Sequence, residues 1–100
     1  VLLGVPARTT TTLMTSGSPS LHGQQVTFTA TIIAAYGPIP NGIRVTFYNN
    51  GTRIGTAKTM NGAAMFTTTA LAVGTHTIRA SFPSSPFFKA SSATVSQVVN

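Results

Sequence analysis

The chain of 100 residues contains no aspartate and no glutamate. Side-chain carboxylates supply most calcium and magnesium ligands, the acid pair of a glycosidase and the orienting member of a serine-histidine-aspartate triad, so their absence removes most hydrolytic and metal-assisted chemistry. It also leaves six Lys and Arg side chains without an internal side-chain ion-pair partner, at a formal net charge of +6 and a pI near 11.6. Cysteine is missing too, which excludes a disulfide framework, a thiolate nucleophile and a zinc-thiolate site and leaves stability to packing. Hydrophobic residues make up 42% of the chain but lie in short runs, none near the roughly 18 consecutive apolar residues of a membrane-spanning helix. The titratable side chains outside the arginines are His22, His76, Tyr36, Tyr48, Lys58 and Lys89, and their spacing suggests no nucleophile and base. No enzyme, cofactor or metal is expected.

What is present is a β-rich vocabulary: Thr, Ser, Val, Ile and Phe, punctuated by Gly and Pro, with no sustained apolar spacing of three and four residues. The length suits one domain. Residues 1–6 read as a linker, apolar but too short for a secretory core and without a basic leader or cleavage site, and a single domain is expected over residues 7–100. Arg8 to Leu13 gives a first strand. Gln25 to Ile33 gives the clearest one, with Val26, Phe28, Ala30 and Ile32 on one side and Thr27, Thr29 and Thr31 on the other. The turn Pro38-Ile39-Pro40-Asn41-Gly42 delivers a strand from Ile43 to Tyr48, with Ile43, Val45 and Phe47 inward. Asn49-Asn50-Gly51 suits a tight hairpin into Thr52 to Lys58, where Ile54 is the main apolar contact. Asn61-Gly62 opens a fifth strand with Ala64 and Phe66 inward, and Leu71 is expected to plug the end of the fold before the turn at Gly74. Thr75 to Phe82 alternates, with His76, Ile78, Ala80 and Phe82 on one side. Pro83-Ser84-Ser85-Pro86 breaks it, and Ala93 to Val99 closes the chain. Seven short antiparallel strands with turn signals every 8 to 12 residues or so predict a two-sheet β-sandwich, with a small barrel as the alternative.

These residues resemble the bacterial immunoglobulin-like repeats found in tandem in large secreted and surface proteins. The resemblance rests on Thr9-Thr10-Thr11-Thr12-Leu13, Gly23-Gln24-Gln25-Val26-Thr27-Phe28-Thr29-Ala30, Val45-Thr46-Phe47-Tyr48, Ile54-Gly55-Thr56-Ala57, Ala93-Thr94-Val95-Ser96-Gln97-Val98-Val99-Asn100 and, most specifically, Leu71-Ala72-Val73-Gly74-Thr75-His76-Thr77-Ile78. It implies an immunoglobulin-like sandwich, a stalk or adhesion role outside the cell, and neighbouring repeats as partners. Two positions depart from the pattern: Asn49 stands where such repeats commonly carry Asp, and Ser84-Ser85-Pro86-Phe87-Phe88 replaces an acidic Gly-Asp-x-Asn-Tyr segment.

Two groups of side chains invite a functional reading. His76 on the apolar side of its strand reads as a core histidine bonded to backbone more readily than as a metal ligand or pH switch, and of the aromatic residues near the last corner Phe82 and Phe88 are expected to pack inward and Phe87 to stay exposed. Arg44 and Arg79 should project outward from neighbouring strands of one sheet, with Arg53 and Lys58 on the adjoining edge ribbon and Tyr48 in the same outward phase. Such a face would suit an acidic glycan or cell-wall polymer. Nucleic acid fits less well, because clustered Lys and Arg with interleaved aromatics are lacking. The plainer reading is solubilising charge. The missing carboxylates also suggest tolerance of acid, since the main linkage route to acid unfolding is gone.

Overall fold

A computed structural model describes residues 7–35, 37–85 and 87–100; the expected linker at 1–6, Tyr36 and Pro86 lie outside them. The described chain forms seven strands: β1 (Thr9–Thr15), β2 (Val26–Ala34), β3 (Arg44–Asn49), β4 (Thr52–Lys58), β5 (Ala63–Thr68), β6 (Gly74–Phe82) and β7 (Ser91–Val99). They make two antiparallel sheets, ordered β1-β2-β5 and β4-β3-β6-β7, the immunoglobulin-like sandwich rather than the barrel. Alternation sets the register: Val26, Phe28, Ala30 and Ile32 of β2 face Val45 and Phe47 of β3 and Ile78, Ala80 and Phe82 of β6 in one buried core. Each of the fully buried Phe28, Phe47, Phe82 and Ile78 contributes about 1.5–3 kcal/mol through removal of apolar surface from water. Leu71 is buried at the end of the sandwich, as is Phe88, whose ring meets Phe82 edge to face at 6.4 Å; Phe87 is 73% exposed.

Two tight turns hold the register. Asn50 and Gly51, at φ of 49° and 86°, join β3 to β4, the pair of positive φ values that a two-residue hairpin following the strand twist requires. Asn61 and Gly62 repeat this between the paired Met60 and Ala63, where the chain crosses from one sheet to the other.

The sandwich has two sides where sheet edge meets sheet edge, β1 along β7 and β5 along β4. The contacts between β1 and β7 run parallel: Ala7 bridges Phe88, the Thr9 hydroxyl lies against Lys89 and Ser91, Thr15 meets Gln97, and Ser20 bridges Val99. The chain therefore enters at one pole, beside Phe88, and reaches Asn100 at the other, beside Gly74. The nine residues of β7 separate the poles by roughly 30 Å.

Candidate binding face

The outer surface of the four-stranded sheet is built by the residues that alternate with the core. On β3 these are Arg44, Thr46 and Tyr48. Arg44 stands directly opposite Lys58 of β4, Thr46 lies between Thr56 and Ser81, and Tyr48 lies between Arg53 of β4 and Arg79 of β6. Ser92, Thr94 and Ser96 continue the surface on β7. All four cations are exposed, Tyr48 is half-buried, and the Arg79 guanidinium carbon sits 6.0 Å from the centre of the Tyr48 ring, within reach of a cation–π attraction. The five side chains expected to share a face are thus brought together: Lys58 and Arg44 at one end, then a row of hydroxyls, then Arg53, Tyr48 and Arg79 about 13 Å further along β3.

Strict alternation would not have placed Arg53 there. Lys58 and Arg53 are an odd number of residues apart, so a regular β4 would point them to opposite faces. The register instead slips between Phe47, which pairs with Gly55, and Tyr48, which pairs with Arg53. Ile54 is the extra residue of this bulge. It turns inward to pack on the core and re-aims Arg53 to the outside.

The face is positive without compensation, since the sequence has no side-chain carboxylate. Arg44 and Lys58, as directly opposed like charges, repel by several tenths of a kcal/mol. The other cations, Arg8 and Lys89, sit at the entry pole, where the Lys89 N–H donates to the Ala7 carbonyl at 2.8 Å.

The histidines do not join this face. His76 is buried on the core side of β6; its Nε2 is 2.7 Å from the Ala72 carbonyl, to which Nε2–H donates, and its Nδ1 is 3.0 Å from the Asn49 amide. The backbone bond expected for a core histidine is present, and the second partner is a side chain. Asn49, at a position that departs from the repeat pattern, holds the ring from the end of β3. His22 is exposed in the β1–β2 connection. Among the described residues, a groove lined by Ile32, Pro38, Ile39, Asn41 and Asn61 at the β2–β3 turn carries no titratable side chain.

The opposite outer face, on β1-β2-β5, is uncharged. It presents Thr10, Thr12 and Met14 on β1, Thr27, Thr29, Thr31 and Ile33 on β2, and Met65 and Thr67 on β5, with Met14, Thr29 and Met65 in one cross-strand row. Periodicity had assigned the threonines of β2 to solvent, but nothing in composition marks the two outer faces as so different in charge.

The family model described as bacterial Ig-like domain (group 3) matches residues 10–100 of the chain. Compared with curated proteins and with solved structures, the chain has no significant match.

Proposed function

The chain belongs to the bacterial Ig-like domain family, matched over residues 10–100, and on that premise we propose that it is a spacer or stalk repeat of a secreted or cell-surface bacterial protein, stacked with neighbouring repeats and holding an adhesive or catalytic part away from the cell. The observation that supports this most is the placing of the chain ends. Ala7 lies beside Phe88 at one pole and Asn100 beside Ser20 at the other, so that successive units joined through them advance by a domain length instead of doubling back. An antibody raised against the domain is expected to label intact cells of the producing bacterium or its secreted fraction; labelling that appears only after lysis would contradict an extracellular role.

A second reading is favoured by one observation, the uncompensated cluster of Arg44, Arg53, Lys58 and Arg79 around Tyr48. Hydroxyl-rich and positive, this face suits an acidic glycan or an anionic cell-wall polymer: the guanidinium groups would pair with carboxylate or phosphate and Tyr48 would stack on a sugar ring. A screen of glycans and polyanions at low and at physiological salt, run beside an Arg44→Ala, Arg79→Ala double variant, tests it. Salt-sensitive binding that the variant loses would make the domain a recognition module; binding that the variant retains, or none, would leave these charges a solubilising role.

A further inference from the structure

Among the described residues, six buried side chains are polar: Thr9, Thr11, Ser20, Thr59, His76 and Gln97. Four of them, Thr9, Thr11, Ser20 and Gln97, lie along the side where the N-terminal segment runs parallel to β7. From this concentration we propose that the seam between residues 7–22 and 87–100 is a force-bearing clamp, resisting extension of the domain through its two ends. As a biological role this rests on the spacer reading above; as a mechanical property it does not.

The seam has three stations. At the entry pole the Ala7 N–H donates to the Phe87 carbonyl and the Lys89 N–H to the Ala7 carbonyl, both at 2.8 Å. In the middle the Thr9 hydroxyl is 2.6 Å from the Lys89 carbonyl and 2.8 Å from Ser91 Oγ, which is itself 2.6 Å from the Thr11 hydroxyl. Near the exit pole the side chain of Gln97, with no exposed surface, accepts from the Thr15 hydroxyl and donates through Nε2 to the Gly17 carbonyl at 2.7 Å and to Ser20 Oγ at 3.0 Å. Beyond it the Ser20 N–H donates to the Val98 carbonyl, the Asn100 N–H to the Ser20 carbonyl and the His22 N–H to the Asn100 carbonyl.

Geometry makes this a clamp and chemistry makes it stiff. The two segments run in the same direction, so pulling the ends toward opposite poles slides one along the other and loads all three stations together, whereas a hairpin pulled open at its mouth breaks its bonds singly. Apolar surfaces can slide an ångström or two with most of their contact kept. Hydrogen bonds weaken steeply over the same distance, and the Gln97 side chain has no exposed surface, so sliding leaves a buried amide without its partners, at the cost of an unsatisfied polar group. β1 and β7 belong to different sheets, which is why side chains carry the middle of the seam.

The test is single-molecule stretching of the whole chain. Because it has no cysteine, introduced cysteines can place the handles: Arg8→Cys with Asn100→Cys pulls end to end, and Thr52→Cys with Thr94→Cys pulls across the four-stranded sheet. End-to-end unfolding is expected to need at least about twofold more force than pulling across, because forced unfolding follows the barrier along the direction pulled. Gln97→Leu should lower the end-to-end force while leaving the transverse force nearly unchanged, and a core variant matched to it in chemical stability, Val45→Ala, should spare the end-to-end force by comparison. Ser91→Ala, which removes the two Ser91 bonds of the middle station and leaves the Thr9–Lys89 bond, gives the same comparison should Gln97→Leu fail to fold. Equal forces in the two directions, or seam variants that weaken the fold no more in one direction than the other, would overturn the proposal. A strong clamp in a chain that is found only inside cells would instead defeat the spacer reading and leave the mechanics standing.

Discussion

Along one side of the sandwich β1 lies against β7 and is tied by Thr9, Thr11, Ser91 and the buried amide of Gln97; along the other, β5 lies against β4 and is closed by Phe66 stacked on Phe47, ring centres 5.3 Å apart at 22°. The polar side depends on partners being present. The aromatic side depends on an atom being absent: a Cβ on Gly55 would lie 2.3 Å from Cε1 of Phe66. The same two layers are thus joined in one place by matched donors and acceptors and in another by shape, and the two kinds of join should fail differently.

Gly55→Ala should show the larger effect, a loss of about 2 kcal/mol, since the methyl displaces the Phe66 ring from its stack on Phe47. Shortening the obstacle in the double variant Gly55→Ala, Phe66→Leu should recover part of that loss. Denaturant melts of the two single variants and the pair measure this coupling, and strictly additive losses would mean that Phe66 is not what Gly55 accommodates. A smaller effect of opposite sign is expected on the charged face. Lys58→Glu turns the opposed Arg44–Lys58 pair into an attractive one and should stabilise the fold by roughly 0.5 kcal/mol, less at high salt. A loss of stability there, unchanged by salt, would show that Lys58 is held by something other than the field of its neighbours.

Much of the frame is legible in the residues because the core obeys a period of two. Val26 to Ile32 and His76 to Phe82 announce their faces, and the turns at Asn50-Gly51 and Asn61-Gly62 need positive φ where Asn and Gly stand. Strand ends are less legible. β1 continues past Leu13 through Met14 and Thr15 because β2 still offers Thr29 and Phe28 as partners, and β7 starts at Ser91 rather than Ala93 because Ser91 pairs with Phe82. The bulge at Ile54 is a single added residue with no compositional mark, yet without it Arg53 would point to the core. Gln97 is the hardest to read. A glutamine in a strand ordinarily faces water, and its partners Thr15, Gly17 and Ser20 are about 80 residues away in sequence; only the pairing of two sheets through β1 and β7 puts them around it.

The seam is tested most directly by Gln97→Glu, with the melting temperature followed from pH 7 to pH 3 beside the wild-type chain. The wild type has no side-chain carboxylate to titrate, and whatever its two histidines contribute over this range is common to both chains, so the difference between them isolates the new group. In the variant, the protonated carboxyl keeps a hydrogen to donate to the Gly17 carbonyl, whereas the ionised form is buried, donates nothing and faces that carbonyl, so burial raises the folded-state pKa of the new group above its unfolded value of about 4.3. A group shifted in that direction leaves the fold at its full stability below the unfolded pKa and costs it stability as pH rises through the folded one. The variant should therefore melt well below the wild type at pH 7 and approach it as the pH falls below about 4. A variant that melts like the wild type at pH 7, or whose deficit is the same at both ends of the range, would contradict a buried amide that ties the N-terminal segment to β7.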